Sequence, residues 1–248
     1  MTAATRAAAR PDRDPASTAA GAFAAFAPYL VISAVHLALL AAELGTAARI
    51  SKLLLMPALA LAVLLYLRGR RGGTGPAPLL LIAGIAFSWG GDAPLSVPGE
   101  GWFLVGLGSF LIAHLCYLAL FARGGLGVRR PRVWALVYPL WLVALMAIMW
   151  PNLGGLVVPV LAYGIVLCAM AAVGSGLNAS IAWGGAFFVA SDSLLAIGRF
   201  VPAYEFGLHD EAVMATYLVA QGLIAWGAVR IMTRADAVAA PAPQAAAG

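Results

Sequence analysis

Two aspartates occupy near-identical settings in a chain with few charges. "AFSWGGDAPL" (86–95) returns as "AFFVASDSLL" (186–195), so Asp92 and Asp192 each interrupt an apolar run. A carboxylate in such a run costs several kcal/mol unless it is paired, hydrated or protonated. Two of them in matched settings suit acid-base work. One carboxyl group, held protonated in a water-poor place, gives a proton, while its ionised partner stabilises a developing cation and orients water. Structural readings compete with this one. Asp92 lies close to the end of its run, where an interfacial position would serve, and Asp192 has an ion pair with Lys52 open to it.

The other polar residues of the apolar runs are candidates for binding. Ser88 lies one helical turn before Asp92, and Ser191 and Ser193 flank Asp192. Each suits a hydrogen bond to a carboxylate or to its own backbone. Glu43 and Lys52 are spaced for an ion pair over a short loop, and Lys52 equally suits a substrate. Arg199 suits either an anionic headgroup or snorkelling to the interface. His114 suits a helix-to-helix hydrogen bond or substrate orientation, a role for which His36 and the loop residue His209 have weaker claims. Tyr217 and Gln221, one turn apart, line a cavity or glue helices together. HExxH, GxSxG, Walker A and dinucleotide-binding motifs are absent. Ser109 and His114 sit about 140° apart round a helix and form no local nucleophile-base pair. Three scattered histidines make no zinc site, and Cys116 and Cys168 lack metal-ligand spacing and read as packing residues.

The elements that hold these residues follow from composition. The 248 residues are 63% hydrophobic and 10% charged, against about a quarter charged in soluble domains. Mean hydropathy is +0.94. Together these values predict an all-α polytopic membrane bundle. Apolar segments near 22–43, 50–67, 77–97, 102–122, 133–150, 153–173, 179–198 and 212–230 give eight transmembrane helices. The run that starts at Ala22 is too long for a signal-peptide core and reads as the first span. Residues 1–21 and 233–248 read as disordered tails around a membrane domain spanning 22–232. With both termini cytoplasmic, twelve basic residues fall on the inner side and only Arg49, Lys52 and Arg199 on the outer. That asymmetry accounts for the pI of 9.6 without a nucleic-acid partner. Three pairs of segments recur: 56–61 with 158–163, 86–95 with 186–195, and 109–114 with 216–221. Offsets of 102, 100 and 107 argue for a 4+4 parallel repeat about an axis along the membrane normal, in which the first span has no partner in the fifth. The site is expected to open towards the non-cytoplasmic half.

"WFLVGLGSFLIAHLCYLALF" (102–121), "GGDAPL" (90–95), "GGAFFVASDSLLAIGRF" (184–200) and "YLVAQGLIA" (217–225) resemble the YhhN, or TMEM86, family of lysoplasmalogenases over about residues 28–230. The resemblance implies an eight-span membrane hydrolase that cleaves the vinyl-ether bond of a lysoplasmalogen, releasing a fatty aldehyde and a glycerophospho-base. The family's glycine-aspartate motif falls on Gly91 and Asp92, its serine-aspartate-serine motif on Ser191, Asp192 and Ser193, and its membrane lysine on Lys52. Leu53 and Pro94 depart from the family pattern. On this reading Asp92 acts as the acid and Asp192, thought to be nearer Lys52, as the base, with no metal or organic cofactor. The substrate is a lysophospholipid drawn from the bilayer of a bacterial cell membrane. A small-molecule or proton-coupled transporter is the alternative, since paired membrane carboxylates, parallel repeats and breaks at Pro57, Pro94 and Pro159 suit it as well.

Overall fold

The computed structural model describes residues 15–68, 75–123, 126 and 130–239, with side chains from 21 to 234 apart from Ala22 and Arg123. In lipid every backbone N–H and C=O must find its partner inside the segment, so long apolar runs become helices. Eight α-helices follow in order: α1 (Pro15–Ala41), α2 (Gly45–Leu67), α3 (Pro76–Leu95), α4 (Glu100–Arg123), α5 (Val137–Leu153), α6 (Val157–Gly174), α7 (Ala179–Phe200) and α8 (His209–Ala239). There is no strand among the described residues. Among the described residues, seven stretches are long and apolar enough to cross a membrane, one of them the 42-residue stretch Val133–Gly174. α1 and α8 extend into both segments expected as tails, while residues 1–14 and 240–248 lie outside the described residues. So do Arg6, Arg10, Arg13, Arg70, Arg71 and Arg129 of the charge count.

Local chemistry sets the boundaries. Pro76 opens α3 after Gly75, whose φ of 99° favours glycine. Asn178 caps α7 by accepting from Ile181 N at 2.9 Å, and its Nδ2 donates to Gly227 O of α8 at 2.9 Å. The breaks expected at prolines do not occur. α2 runs through Pro57, Pro94 falls in the last turn of α3, and Pro159 falls in the first turn of α6, where a missing N–H costs little.

The 42-residue stretch contains a hairpin. A 3-10 turn, Gly154–Leu156, joins α5 to α6 after Gly154 takes a φ of 50°. Cys168 Sγ reaches Tyr138 O at 3.5 Å, and Leu142 fills the space over Gly164, so the two helices pair in opposite directions. α3 packs chiefly on α4, and α7 on α8. A Cβ at Gly84 would meet the Tyr117 ring, and one at Gly184 would meet Ile224. α1 packs on α2 and α8, whereas α5 packs on α6 and α7.

Candidate active site

One cavity of about 690 Å³ takes in both aspartates. Its lining comes from the starts of α2, α4, α6 and α8, the ends of α1, α3 and α7, and the middle of α5. It therefore sits at the end of the bundle that carries the loops around residues 43, 97, 155 and 204. It reaches inward to Cys168, about 16 Å along α6 at 1.5 Å per residue.

Each aspartate is held by a tyrosine. Tyr217 Oη of α8 donates to Asp92 Oδ2 at 3.2 Å, and Tyr163 Oη of α6 donates to Asp192 Oδ2. Asp92 is buried, at 3% exposure, and Asp192 is partly exposed. Glycines let the walls approach: a Cβ at Gly91, next to Asp92, would strike the ring of Phe110, which lines the cavity floor.

Of the binding residues expected from sequence, Lys52, Ser191, Ser193 and Tyr217 line this cavity with the two aspartates. Lys52 Nζ donates to Ser96 Oγ at 3.2 Å, and Ser96 Oγ donates to Asp92 O at 2.9 Å. Lys52 thus belongs with the helix of Asp92 rather than nearer Asp192, and it forms no ion pair with Glu43 or Asp192 among the described residues. An assignment of acid and base that rests on Lys52 loses its support. Ser191 Oγ donates to Val213 O at 3.0 Å, and Ser193 Oγ donates to Val189 O at 2.6 Å while accepting from Trp141 Nε1 at 2.8 Å. Both serines bond backbone rather than a carboxylate.

His114, Gln221 and Arg199 lie outside the lining. His114 Nδ1 donates to Phe110 O at 2.7 Å, and its ring packs on Phe188 at 4.5 Å and on Tyr163 at 5.3 Å. It supports the tyrosine that holds Asp192 and makes no hydrogen bond to a carboxylate. Gln221 glues helices, accepting from Tyr117 Oη at 2.6 Å and donating to Ser88 Oγ at 2.8 Å. The Arg199 guanidinium lies over the Phe103 ring at 4.0 Å. Sequence reasoning missed Tyr163, Trp141, Ser96, Arg49 and Asp210, all of which line the cavity. A tyrosine in an apolar helix carries no signal of its own until the fold sets it beside Asp192.

Lysoplasmalogenases of Mycobacterium bovis and Mycobacterium tuberculosis are each 36% identical over 135 residues, 50% of this chain and 51% of theirs. The chain thus spans about half the length of these relatives. Lysoplasmalogenase TMEM86B of Homo sapiens is 32% identical over 178 residues, 71% of this chain and 73% of that one. No solved structure matches the chain. The YhhN family model covers residues 47–228, which include both aspartates, both tyrosines and the cavity lining apart from His36, Leu40, Gly45 and Thr46. The resemblance read from the sequence holds, and this integral membrane protein belongs to the YhhN family.

Proposed function

We propose that the protein is a lysoplasmalogenase-like hydrolase whose paired aspartates cleave a vinyl ether. The observation that carries this reading is the single cavity in which Asp92 and Asp192 each accept a tyrosine hydrogen bond on one oxygen. The relatives named above support the substrate class. Protonation of the vinyl-ether β-carbon gives an oxocarbenium ion. Water adds to the carbon beside the ether oxygen and loses its proton to a carboxylate. The hemiacetal then collapses to aldehyde and alcohol. One protonated aspartate supplies the first proton, and the other, ionised, stabilises the cation and takes the proton of water, as in glycosidases. The pair acts as a unit, and neither role is tied to one residue.

The membrane arrangement we propose is eight crossings within 22–232, with both termini cytoplasmic and the cavity opening towards the non-cytoplasmic face of the cell membrane. The α5–α6 hairpin supports two crossings within Val133–Gly174. The 4+4 repeat is supported by contacts that map onto one another under the offsets 100 and 107. Gly84 against Tyr117 maps onto Gly184 against Ile224. Gln221 on Ser88 maps onto His114 on Phe188. Phe110 and Tyr217 map onto each other, and their rings meet at 5.8 Å, where the axis would pass.

Aldehyde release from a lysoplasmalogen by purified protein in detergent tests the reading, because a transporter needs two compartments to act. Asp92→Asn and Asp192→Asn should each lower release at least about 10²-fold in folded protein. No aldehyde from wild type, or near-full activity in either variant, defeats the two-carboxylate mechanism.

A further inference from the structure

The cavity is shallow below its carboxylates. Tyr163, which holds Asp192, comes five residues before Cys168, the innermost lining residue of α6. At 1.5 Å per residue the cavity therefore continues inward for about 7.5 Å. An extended chain advances about 1.2 Å per bond, so this depth takes about six carbons. A chain that spans one leaflet of a hydrocarbon core about 30 Å thick has about twelve or more. With its headgroup at the open end and a vinyl ether at the aspartates, a lipid of that length has to pass the rest of its chain out of the cavity. We propose that the chain leaves between α5 and α7, and that the crevice between these helices binds the distal part of a single lipid alkyl chain. The proposal rests on the hydrolase reading for placing the ether at the aspartates.

The wall is thin at this seam. α5 touches α7 less than it touches α6. Trp141 of α5 bridges to α7 by donating from Nε1 to Ser193 Oγ at 2.8 Å. Its side chain lines the cavity and is nonetheless 43% exposed, so one indole stands between the site and the surrounding lipid. Inward of it a second hollow, of about 420 Å³, lies between Trp134, just before α5, and Ala179, Ala182 and Ala186 of α7. Ser193 and Val189 of the cavity and these three alanines follow one another at intervals of four and three residues, which puts them on one face of α7. Val189 lines the cavity and Ala186 the hollow, one turn apart, so the hollow continues the cavity along that face. Its polar residues are engaged within the protein. Arg132 Nε donates to Ser175 O at 3.2 Å, and Asn178 Nδ2 to Gly227 O at 2.9 Å, which leaves the alanine wall to hydrocarbon. Walls without a neighbour forfeit dispersion contacts, and a methylene chain restores them.

Helix rise sets the register of such a chain. Counted along α7 from Asp192, Ala186 lies about 9 Å inward, Ala182 about 15 Å and Ala179 about 20 Å. At about 1.2 Å per bond, an extended chain that starts at the aspartates meets Ala186 at about its seventh carbon, Ala182 at about its twelfth and Ala179 at about its sixteenth. A bulky side chain at one of these alanines should therefore stop chains above a particular length and spare shorter ones.

Equilibrium binding to the full-length protein in bilayer nanodiscs tests the crevice without catalysis. The probes are the saturated 1-O-hexyl, 1-O-decyl and 1-O-hexadecyl glycerophosphocholines, with affinities expressed per mole fraction in the bilayer so that partitioning cancels. Wild type should accept all three. Ala186→Phe should weaken the decyl and hexadecyl probes about tenfold and leave the hexyl probe unchanged, whereas Ala182→Phe should weaken the hexadecyl probe alone. If phenylalanine keeps a variant from folding, leucine takes its place and the same order is expected. General damage would weaken all three probes alike. Equal losses at every length, no loss of the hexadecyl probe in either variant, or a wild type that binds the hexyl probe and excludes the hexadecyl one overturns the proposal. None of the probes carries a vinyl ether. A protein that shows this order of chain lengths and releases no aldehyde would sink the hydrolase reading and leave the crevice standing. An active protein whose affinities ignore both substitutions would sink the crevice alone.

Discussion

Tyr163→Phe removes a single hydroxyl and so isolates what the hydrogen bond to Asp192 contributes. Tyr163 is buried, and its ring packs edge-on against His114 with an interplanar angle of 87°. Phenylalanine keeps that ring and loses only the donor to Asp192 Oδ2. Hydrogen bonds to charged groups are worth about 1.5–3 kcal/mol. At about 1.4 kcal/mol per factor of ten, kcat for aldehyde release should fall roughly 10- to 100-fold. Tyr217→Phe should fall at the lower end of that range, because its bond to Asp92 is longer, at 3.2 Å. A double-mutant cycle separates positioning from general damage. If Tyr163 acts through Asp192, then Tyr163→Phe added to Asp192→Asn costs no more than about a further threefold. A kcat within twofold of wild type in Tyr163→Phe, or a loss that adds in full to that of Asp192→Asn, would refute the reasoning.

Three further outcomes are expected. His114→Ala should lower kcat about tenfold, less than either aspartate change, because His114 touches the Tyr163 ring and not a carboxylate; complete loss in folded protein would make it catalytic. Gly84→Ala and Gly184→Ala should each lower stability to thermal unfolding by about 1–3 kcal/mol, since Tyr117 is locked by Gln221 and α8 backbone faces Gly184. Gly101→Ala, which meets nothing within 4 Å, should instead stabilise by about 0.5–1 kcal/mol through helix propensity, and equal effects at all three sites would contradict the packing argument. In a background with Cys116 and Cys168 changed to Ala, cysteines at Glu100 and His209 should label with an impermeant thiol reagent on intact cells, and one at Arg130 should not; the reverse pattern inverts the orientation.

What the sequence disclosed follows from which features are exceptions to an apolar rule. Asp92 and Asp192 stand out because each breaks a hydrophobic run in the same local setting, and the offsets that relate them also relate Gly84 to Gly184 and Gln221 to His114. Tyr163 and Trp141 were not legible, because an aromatic residue in a membrane helix is ordinary until the fold sets it beside Asp192 or Ser193. Arg199 has a suitable charge and depth, but only packing shows that Phe103 takes it and that Arg49 lines the cavity. The deeper reason lies in the first and fifth helices, for which no repeat partner was found. α3, α4, α7 and α8 carry the matched contacts, while α1 packs towards α8 and α5 towards α7. Those two unmatched helices contribute His36 and Leu40 to one wall of the cavity and Trp141, Leu142, Leu145, Met146 and Met149 to the other. The two aspartates come from the part of the chain where matched segments recur, and that recurrence made them visible. The other two walls of the cavity come from helices with no matched segment, and there the sequence had no second copy against which to read them.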